Sequence, residues 1–203
     1  MNRKRNYTLR KRAESQEETR QRIVEAAMHL HEELGPRATT ISAIADRAGV
    51  QRLTVYRHFP DENAIFAACT AHWSYLNPPP GAAAWTDLAD PAERARTALE
   101  AYYRYYRGVE RMLSASHLDA PFVPALQEPV QKMQHALSQV ADDIVTAFPG
   151  TAQPGLEATV HHAFAFTTWV SLKAQGLNDT EMASLVTTWI VSASQAGGRP
   201  ADR

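Results

Sequence analysis

The strongest constraint in the sequence is a pair of short apolar patterns separated by one glycine, in residues 39–66. The first pattern follows Thr40, a favourable N-cap, and places four apolar residues on one helical face: Ile41, Ile44, Ala45 and Ala48. The second follows Gly49 and stops at Pro60, with its apolar face formed by Val50, Val55 and Phe59. Two short helices joined by a glycine-containing turn, each with one apolar face, predict a helix-turn-helix.

The opposite face of the second short helix is unusual for a helix that only meets water. An ordinary pair of core helices would account for the apolar residues but not for this mixture of basic, aromatic and aliphatic side chains. Arginine can donate two hydrogen bonds to guanine, glutamine can pair with adenine, and leucine can contact a thymine methyl. Flanking hydroxyl and imidazole groups suit phosphate oxygens. The predicted DNA contacts are Thr40, Ser42, Gln51, Arg52, Leu53, Thr54, Tyr56, Arg57 and His58.

Charge is distributed unevenly along the chain. Residues 1–60 carry twelve Lys and Arg against seven Asp and Glu, whereas residues 61–203 carry nine against fifteen. A basic first third followed by an acidic remainder indicates that one end meets a polyanion. Residues 1–14 are predicted to be a disordered basic arm, which is either a solvated tail or a segment that follows DNA and steepens its salt dependence.

The segment from residue 17 to residue 70 resembles the DNA-binding domain of the TetR family of bacterial transcriptional regulators. The resemblance lies in Leu34-Gly35, Thr39-Thr40-Ile41, Ile44-Ala45, Ala48-Gly49-Val50, Thr54-Val55-Tyr56-Arg57-His58-Phe59 and Asp61. It implies a homodimer that places one recognition helix in each of two major grooves, and a variable C-terminal domain whose small-molecule ligand shifts their spacing. Two residues depart from the family pattern: Glu62 stands where many members have lysine, and Gln51 stands where serine or threonine often opens the recognition helix.

Capping signals divide the rest of the chain into longer helices. They are Ser15 with Glu18, Asp61, Asp90 with Pro91 and Glu93, Pro154 at the start of a helix reaching Gly176, and Asn178 with Glu181. No alternating strand pattern of useful length occurs, so the expected fold is all-α. The expected organisation is the arm (1–14), the helix-turn-helix domain (15–60), a connecting helix (61–76) and a helical effector-binding and dimerisation domain (77–203).

The last two predicted helices are apolar on more than one side. One face can fill the core of the chain, and a second copy would cover the other by a two-fold four-helix arrangement. The alternative is a fully buried helix in a monomer. The predicted dimer interface consists of Leu156, Val160, Phe164, Thr167, Leu185 and Trp189.

Four tyrosines within residues 102–106 cannot all face one core stripe. A ligand cavity is what the family resemblance implies, whereas ordinary packing explains each residue taken singly. The predicted cavity lining is Tyr102, Tyr106, Met112, Met133, His162, Phe166 and Trp169.

Several classes of protein lack support in the sequence. His117, His161 and His162 do not form an i, i+4 pair, so no metal site is expected, and no cofactor motif or catalytic constellation is visible. Cys69 is the one cysteine and is expected to be a small buried apolar group. No apolar run is long enough for a membrane span or a signal peptide, so the expected location is the cytoplasm and no membrane partner is expected.

These observations predict a sequence-specific DNA-binding transcriptional regulator and not an enzyme. The expected partners are a double-stranded DNA operator, a second copy of the chain and a small-molecule effector of unknown identity that lowers operator affinity, as for a repressor. Two alternatives remain open. One is a ligand-independent or architectural DNA-binding protein, and the other is a helical small-molecule carrier or enzyme.

Overall fold

In the computed structural model, residues 2–149 and 154–196 are described, and they form α-helices and two short 3-10 helices without a strand. The predicted all-α fold is therefore confirmed. The helices are α1 (Asn2–Leu34), α2 (Ile41–Ala48), α3 (Arg52–His58), α4 (Glu62–Leu76), α5 (Pro91–Asp119), α6 (Gln127–Ala147), α7 (Pro154–Phe164), α8 (Phe166–Lys173) and α9 (Asp179–Ala196). Of these, none combines the length and the apolar character that crossing a bilayer requires.

Local capping determines where several helices begin, as predicted. Thr40 Oγ1 accepts the backbone N–H three residues ahead at 3.2 Å, and Asp61 Oδ1 does the same at 2.8 Å. Asn178 and Glu181 exchange backbone-to-side-chain hydrogen bonds at 2.8 and 3.0 Å. These bonds satisfy amide groups that have no partner inside the first turn of a helix.

The start of α1 differs from the prediction. The helix begins at Asn2, so the Ser15 capping box is wrong, and the carbonyl of Ser15 accepts the Thr19 hydroxyl inside the helix. The arm predicted to be disordered is helical backbone, although the side chains of residues 2–9 and Arg12 lie outside the described part. No Gly or Pro interrupts residues 2–34, and Arg10 pairs with Glu14 one turn on.

One compact unit contains Met1–Pro78 and Arg111–Pro129. Helix α1 packs against α2, α3 and α4, and their apolar faces form a single core. Its most enclosed members include Ile23, Ala27, Ala45, Val55 and Ile65. The end of α5 belongs to this unit, whereas the sequence placed everything after residue 77 in the second domain.

Asp119, at the end of α5, contacts the turn between α1 and α2 in the same unit. Its Oδ2 accepts the backbone N–H of Arg37 at 2.8 Å. Gly35 has φ +85°, and a Cβ placed there would lie 2.6 Å from that oxygen. The guanidinium of Arg37 lies 4.6 Å from the ring centroid of Phe122. The turn that leads into α2 therefore depends on a carboxylate 82 residues away in sequence.

The other unit consists of Pro79–Glu110 and Val130–Arg203. The prediction of a single helix from Pro154 to Gly176 is wrong, because the helix is interrupted at Ala165, between α7 and α8. Two carbonyls beside the break, those of Ala163 and Phe164, accept the hydroxyls of Tyr103 and Tyr106 at 2.8 and 2.6 Å. These tyrosines stabilise the break by satisfying carbonyls that would otherwise be buried without a donor.

Replacing Gly35 by alanine should destabilise the first unit for two reasons, the backbone strain at positive φ and the clash of the new Cβ with Asp119. Gly176 is a matched control, because its φ is +86° and a Cβ there meets nothing within 4 Å. We expect Gly35→Ala to lower the free energy of unfolding by about 1–2 kcal/mol more than Gly176→Ala in urea titrations, since the new methyl displaces the Asp119 carboxylate. In an Asp119→Ala background this excess should disappear. Equal effects of the two glycine substitutions in the unaltered chain would contradict the role of Asp119.

Candidate nucleic-acid interface

The turn between α2 and α3 is built from a left-handed glycine. Gly49 has φ 65° and ψ 39°, and the following amide, that of Val50, bonds to the carbonyl of Ala45 at 3.0 Å. This arrangement closes α2 in the manner of a Schellman motif. Gln51 then occupies the N-cap position of α3 without a side-chain capping bond, as its poor capping character predicts.

One face of α3 is fixed in the core of the first unit. Val55 is fully buried on this face, and Phe59, the C-cap residue, is 2% exposed. The guanidinium of Arg20, on α1, lies 5.0 Å from the Phe59 ring centroid and covers the edge of this contact. Because the helix has only seven residues, these two contacts determine its rotation and hence which side chains face away from α1.

The outward face of α3 carries exposed groups of the kinds that read base edges. Leu53 is 78% exposed and Tyr56 is 41% exposed, and Arg52 and Arg57 are also exposed. Neither of these two arginines forms an ion pair with a residue in the described ranges, whereas Arg47 of α2 is held by Glu33 through bonds of 2.5 and 2.8 Å. From residue 36 to residue 60 the chain carries four arginines and one acid. The face therefore presents unpaired cations beside apolar and hydroxyl groups.

The remaining predicted DNA contacts occupy different environments. Thr40 and Gln51 are exposed, and Ser42 and Thr54 are partly exposed beside them. His58 is partly exposed, but its Nε2 is enclosed without a hydrogen-bond partner among the described residues. Burial, followed by the nearby charges of Arg57 and Arg20, lowers the pKa of His58 below its ordinary value. Its Nε2 is thus not presented to a phosphate, which sequence spacing could not reveal.

The residues predicted to line a ligand cavity do not all lie together. Tyr102, Tyr106, Phe166 and Trp169 are buried in the second unit and form one aromatic cluster, with ring centroids 5.4–6.2 Å apart between neighbours. Met112 packs instead in the core of the first unit. His162 is exposed and Met133 is partly exposed.

Three of the predicted dimer residues are already enclosed by their own chain. Leu156, Val160 and Phe164 are 5%, 0% and 1% exposed, so they belong to the core of the second unit and cannot form an interface without unpacking it. The other three face outward: Thr167 is exposed, Leu185 is 39% exposed and Trp189 is 37% exposed. Helical periodicity indicates that α7 and α9 have two apolar sides, but it does not tell which side the chain itself covers.

Within residues 2–149 and 154–196, no three His, Cys, Asp or Glu side chains are grouped so as to hold a metal ion. Cys69 is 2% exposed, and its Sγ lies 3.5 Å from His31 Nδ1. Burial, with a smaller contribution from Glu32, raises the pKa of the thiol to about 12. The cysteine is therefore a protonated core residue, as the sequence predicted.

Comparison with known proteins finds bacterial regulators similar to this chain. Residues 23–69 match the family model described as bacterial regulatory proteins, tetR family. The transcriptional regulator AcrR of Shigella flexneri is 38% identical over 58 residues, which cover 29% of this chain and 27% of that protein. A tetR-family regulator from Streptomyces coelicolor has a TM-score of 0.61 at 20% identity, covering 89% of this chain and 83% of that one. The multidrug binding protein EbrR, solved with imidazole, has a TM-score of 0.54 at 17% identity, with coverage of 90% and 92%.

The two arginine environments predict different effects on DNA affinity. We expect Arg57→Ala to weaken duplex binding about tenfold or more, because the substitution removes an unpaired guanidinium that is available to contact DNA. Arg47→Ala should change the affinity less than about threefold, because Glu33 already occupies that side chain. Fluorescence anisotropy at several salt concentrations measures both. Equal losses for the two variants would show that pairing with Glu33 does not decide which arginine contacts DNA.

Proposed function

Because residues 23–69 match the family model of bacterial regulatory proteins, tetR family, we propose that this chain is a repressor of that family that binds its operator as a homodimer and is released by a small molecule. Proteins of this family regulate transcription and are not enzymes. The helix-turn-helix in the first unit supplies the operator contacts, and the second unit supplies the dimer surface and the effector site.

The outward face of α3 is the observation that carries the DNA-binding part of the proposal. A helix that enters the major groove presents short and long side chains to base edges while its other face stays anchored. Arg52 and Leu53 lie in the first turn of α3, where recognition helices approach bases. Tyr56 and Thr54 supply hydroxyl groups for phosphates or bases. The core contacts of Val55 hold these groups in one orientation, so little ordering is needed when DNA binds.

The exposed face of α9 supports dimerisation. No charged residue occurs between residues 182 and 196, although this helix has a continuous exposed side. That side carries Ser184, Leu185, Thr188, Trp189 and Ser192, and α8 adds Thr167, Val170 and Ser171. An uncharged helical surface that includes a tryptophan is typical of a protein interface core. A second copy is the occupant that fits the proposed regulator, because an isologous dimer provides two recognition helices for successive major grooves.

The effector part of the proposal draws on the aromatic cluster of the second unit. Ligand sites in proteins are commonly lined by aromatic side chains with a few polar groups placed among them. The fold neighbour EbrR is described as a multidrug binding protein and holds imidazole. For this chain, an effector that binds one conformation of the dimer more tightly would shift the population away from the DNA-binding state.

Sequence selectivity should separate Arg52 from Tyr56. A random-site selection with the purified protein supplies the operator, and competition with a scrambled duplex then measures specificity. We expect Arg52→Ala to cost about 1–3 kcal/mol on the selected site and much less on the scrambled one, because it removes a base contact. Tyr56→Phe should weaken both duplexes similarly. Failure to enrich any sequence at low salt would refute the proposed function.

Charges placed on the exposed side of α9 should dissociate the dimer. We expect Leu185→Lys and Trp189→Lys each to give monomers at concentrations where the unaltered protein sediments as a dimer, because an unpaired ammonium would be buried at the interface. Leu118→Lys is the control, since Leu118 is 74% exposed at the end of α5 and lies outside the proposed surface. Analytical ultracentrifugation measures the distribution. A dimer that persists in both α9 variants would place the interface elsewhere.

A further inference from the structure

The buried polar groups of the aromatic cluster fall into two classes. Tyr103 and Tyr106 donate to the carbonyls at the α7–α8 break, and the Trp169 indole donates to Asp179 Oδ1 at 3.1 Å. Each of these three groups has a partner within the unit. Their donor hydrogens are already used within the unit, so none of the three can donate to a ligand, although the two tyrosine oxygens can still accept a hydrogen bond.

Trp85 and Tyr102 form the second class. Trp85 is 1% exposed, and its Nε1–H is enclosed without an acceptor among residues 2–149 and 154–196. Tyr102 is 4% exposed, and its hydroxyl, which has no hydrogen-bond partner in the described part of the chain, is not fully enclosed. The two rings are neighbours, with centroids 6.1 Å apart. A buried donor without an acceptor is costly, so an acceptor brought to this place would be held firmly.

The rings around this pair determine the shape that fits. Tyr102 meets Phe164 edge to face, at 5.5 Å and 90°, and lies 6.0 Å from Tyr106. Aromatic faces and edges at these separations favour a flat guest that can stack or meet them edge-on. An aromatic or otherwise planar molecule therefore suits the cluster better than a flexible chain does.

The charges beside the cluster determine the polarity that fits. The cations of Arg107 and Lys173 lie 5.8 and 5.1 Å from the Trp169 ring, but each is paired, Arg107 with Asp179 and Lys173 with Glu110. Although burial raises the pKa of Asp179, bonds from Arg107 and Trp169 outweigh it and hold that pKa below its ordinary value. These four ions balance one another, and Arg104, which also acts on Asp179, is exposed to water, so an ionic guest would lack a buried counter-charge at the cluster.

Trp85 lies in a short segment that has few buried contacts. Between residues 77 and 94, Trp85 is the only buried residue, while Ala82–Ala84, Thr86 and Asp87 on either side are exposed. A segment attached by one buried side chain opens at a lower free energy than the helices beneath it. A ligand can therefore reach the cluster when residues 81–90, the Trp85 segment, move away.

We propose that the effector binds beneath the Trp85 segment, beside Tyr102, and that it is a flat, uncharged molecule carrying a hydrogen-bond acceptor for the Trp85 indole. This inference rests on the proposed function, because it names the chemistry of the effector that the repressor would respond to. Trp85 was not among the residues that the sequence singled out. The one signal for Trp85 in the sequence is that a large aromatic residue follows residues 78–84, which are all Pro, Gly or Ala.

Four probes of similar ring size test the chemistry on the full-length protein: coumarin (neutral, with a carbonyl acceptor), naphthalene (neutral, without an acceptor), 2-naphthoate (anionic) and naphthylmethylammonium (cationic). Ligand-observed NMR titration gives the four dissociation constants. Coumarin should bind about fivefold more tightly than naphthalene, because one additional hydrogen bond contributes about this factor. Both ions should bind more weakly than coumarin. Naphthalene equal to coumarin, an ion binding most tightly, or no binding by any probe would overturn the inference.

Substitutions locate the site. Trp85→Phe keeps the ring and removes the donor, so coumarin should lose its advantage over naphthalene, while naphthalene binding changes little. Trp73→Phe, the same change in the other unit, should leave the advantage intact. If coumarin keeps its advantage over naphthalene in Trp85→Phe, the indole is not the donor and the inference is overturned. This result is expected if a buried water, and not a ligand, satisfies the Trp85 indole. Thermal melting shows whether each variant folds. If Trp85→Phe does not fold, Tyr102→Phe is used instead, because it also removes a polar group at this place and is a milder change.

Binding to the operator obtained by random-site selection distinguishes a failure of the effector inference from a failure of the proposed function. Operator binding that is retained while the probe pattern fails would reject the effector chemistry alone. Absence of selective operator binding would reject the proposed function, whatever the probes do.

Discussion

Helix α3 is seven residues long and keeps its orientation through two apolar side chains, Val55 and Phe59. Such a short helix is marginal on its own, so its structure and its rotation both come from packing against α1. The same packing turns Arg52, Leu53 and Tyr56 outward. The features proposed for DNA recognition therefore depend on these two buried side chains, and a loss of core packing would disrupt the proposed interface without changing any residue proposed to contact DNA.

The end of α5 is part of the same packing. Asp119 binds the amide of Arg37 and occupies the space that a Cβ at Gly35 would need, so the path of the chain into α2 is set from a distant helix. The carboxylate also acts on its surroundings: His31, in the core beside it, has its pKa lowered to about 4 by burial, with Asp119 opposing that shift. The unit that carries the helix-turn-helix is thus larger than the segment that resembles the family, and residues 111–129 belong to it.

Features with local causes could be predicted from the sequence, and features with distant causes could not. The caps of Thr40, Asp61 and Asn178 depend on residues three positions away, so the sequence shows both partners. The break at Ala165 depends on Tyr103 and Tyr106, which are about sixty residues distant, and no Gly or Pro marks it. The α1 start was missed for the opposite reason, since Ser15 is a good cap that the helix passes through because nothing upstream stops it.

By itself, the sequence determined the helix-turn-helix, its basic outward face and the all-α class, because periodicity, caps and charge are written along the chain. Only the tertiary structure decided which apolar residues are covered by the chain itself, and so removed Leu156, Val160 and Phe164 from the proposed dimer surface and left Leu185 and Trp189 on it. It also decided which polar groups find partners within the described residues: Arg47 is paired with Glu33, whereas His58 Nε2 and Trp85 Nε1 are enclosed without a partner. The reason is that burial and hydrogen bonding depend on groups brought together from distant positions, and spacing along the chain records neither.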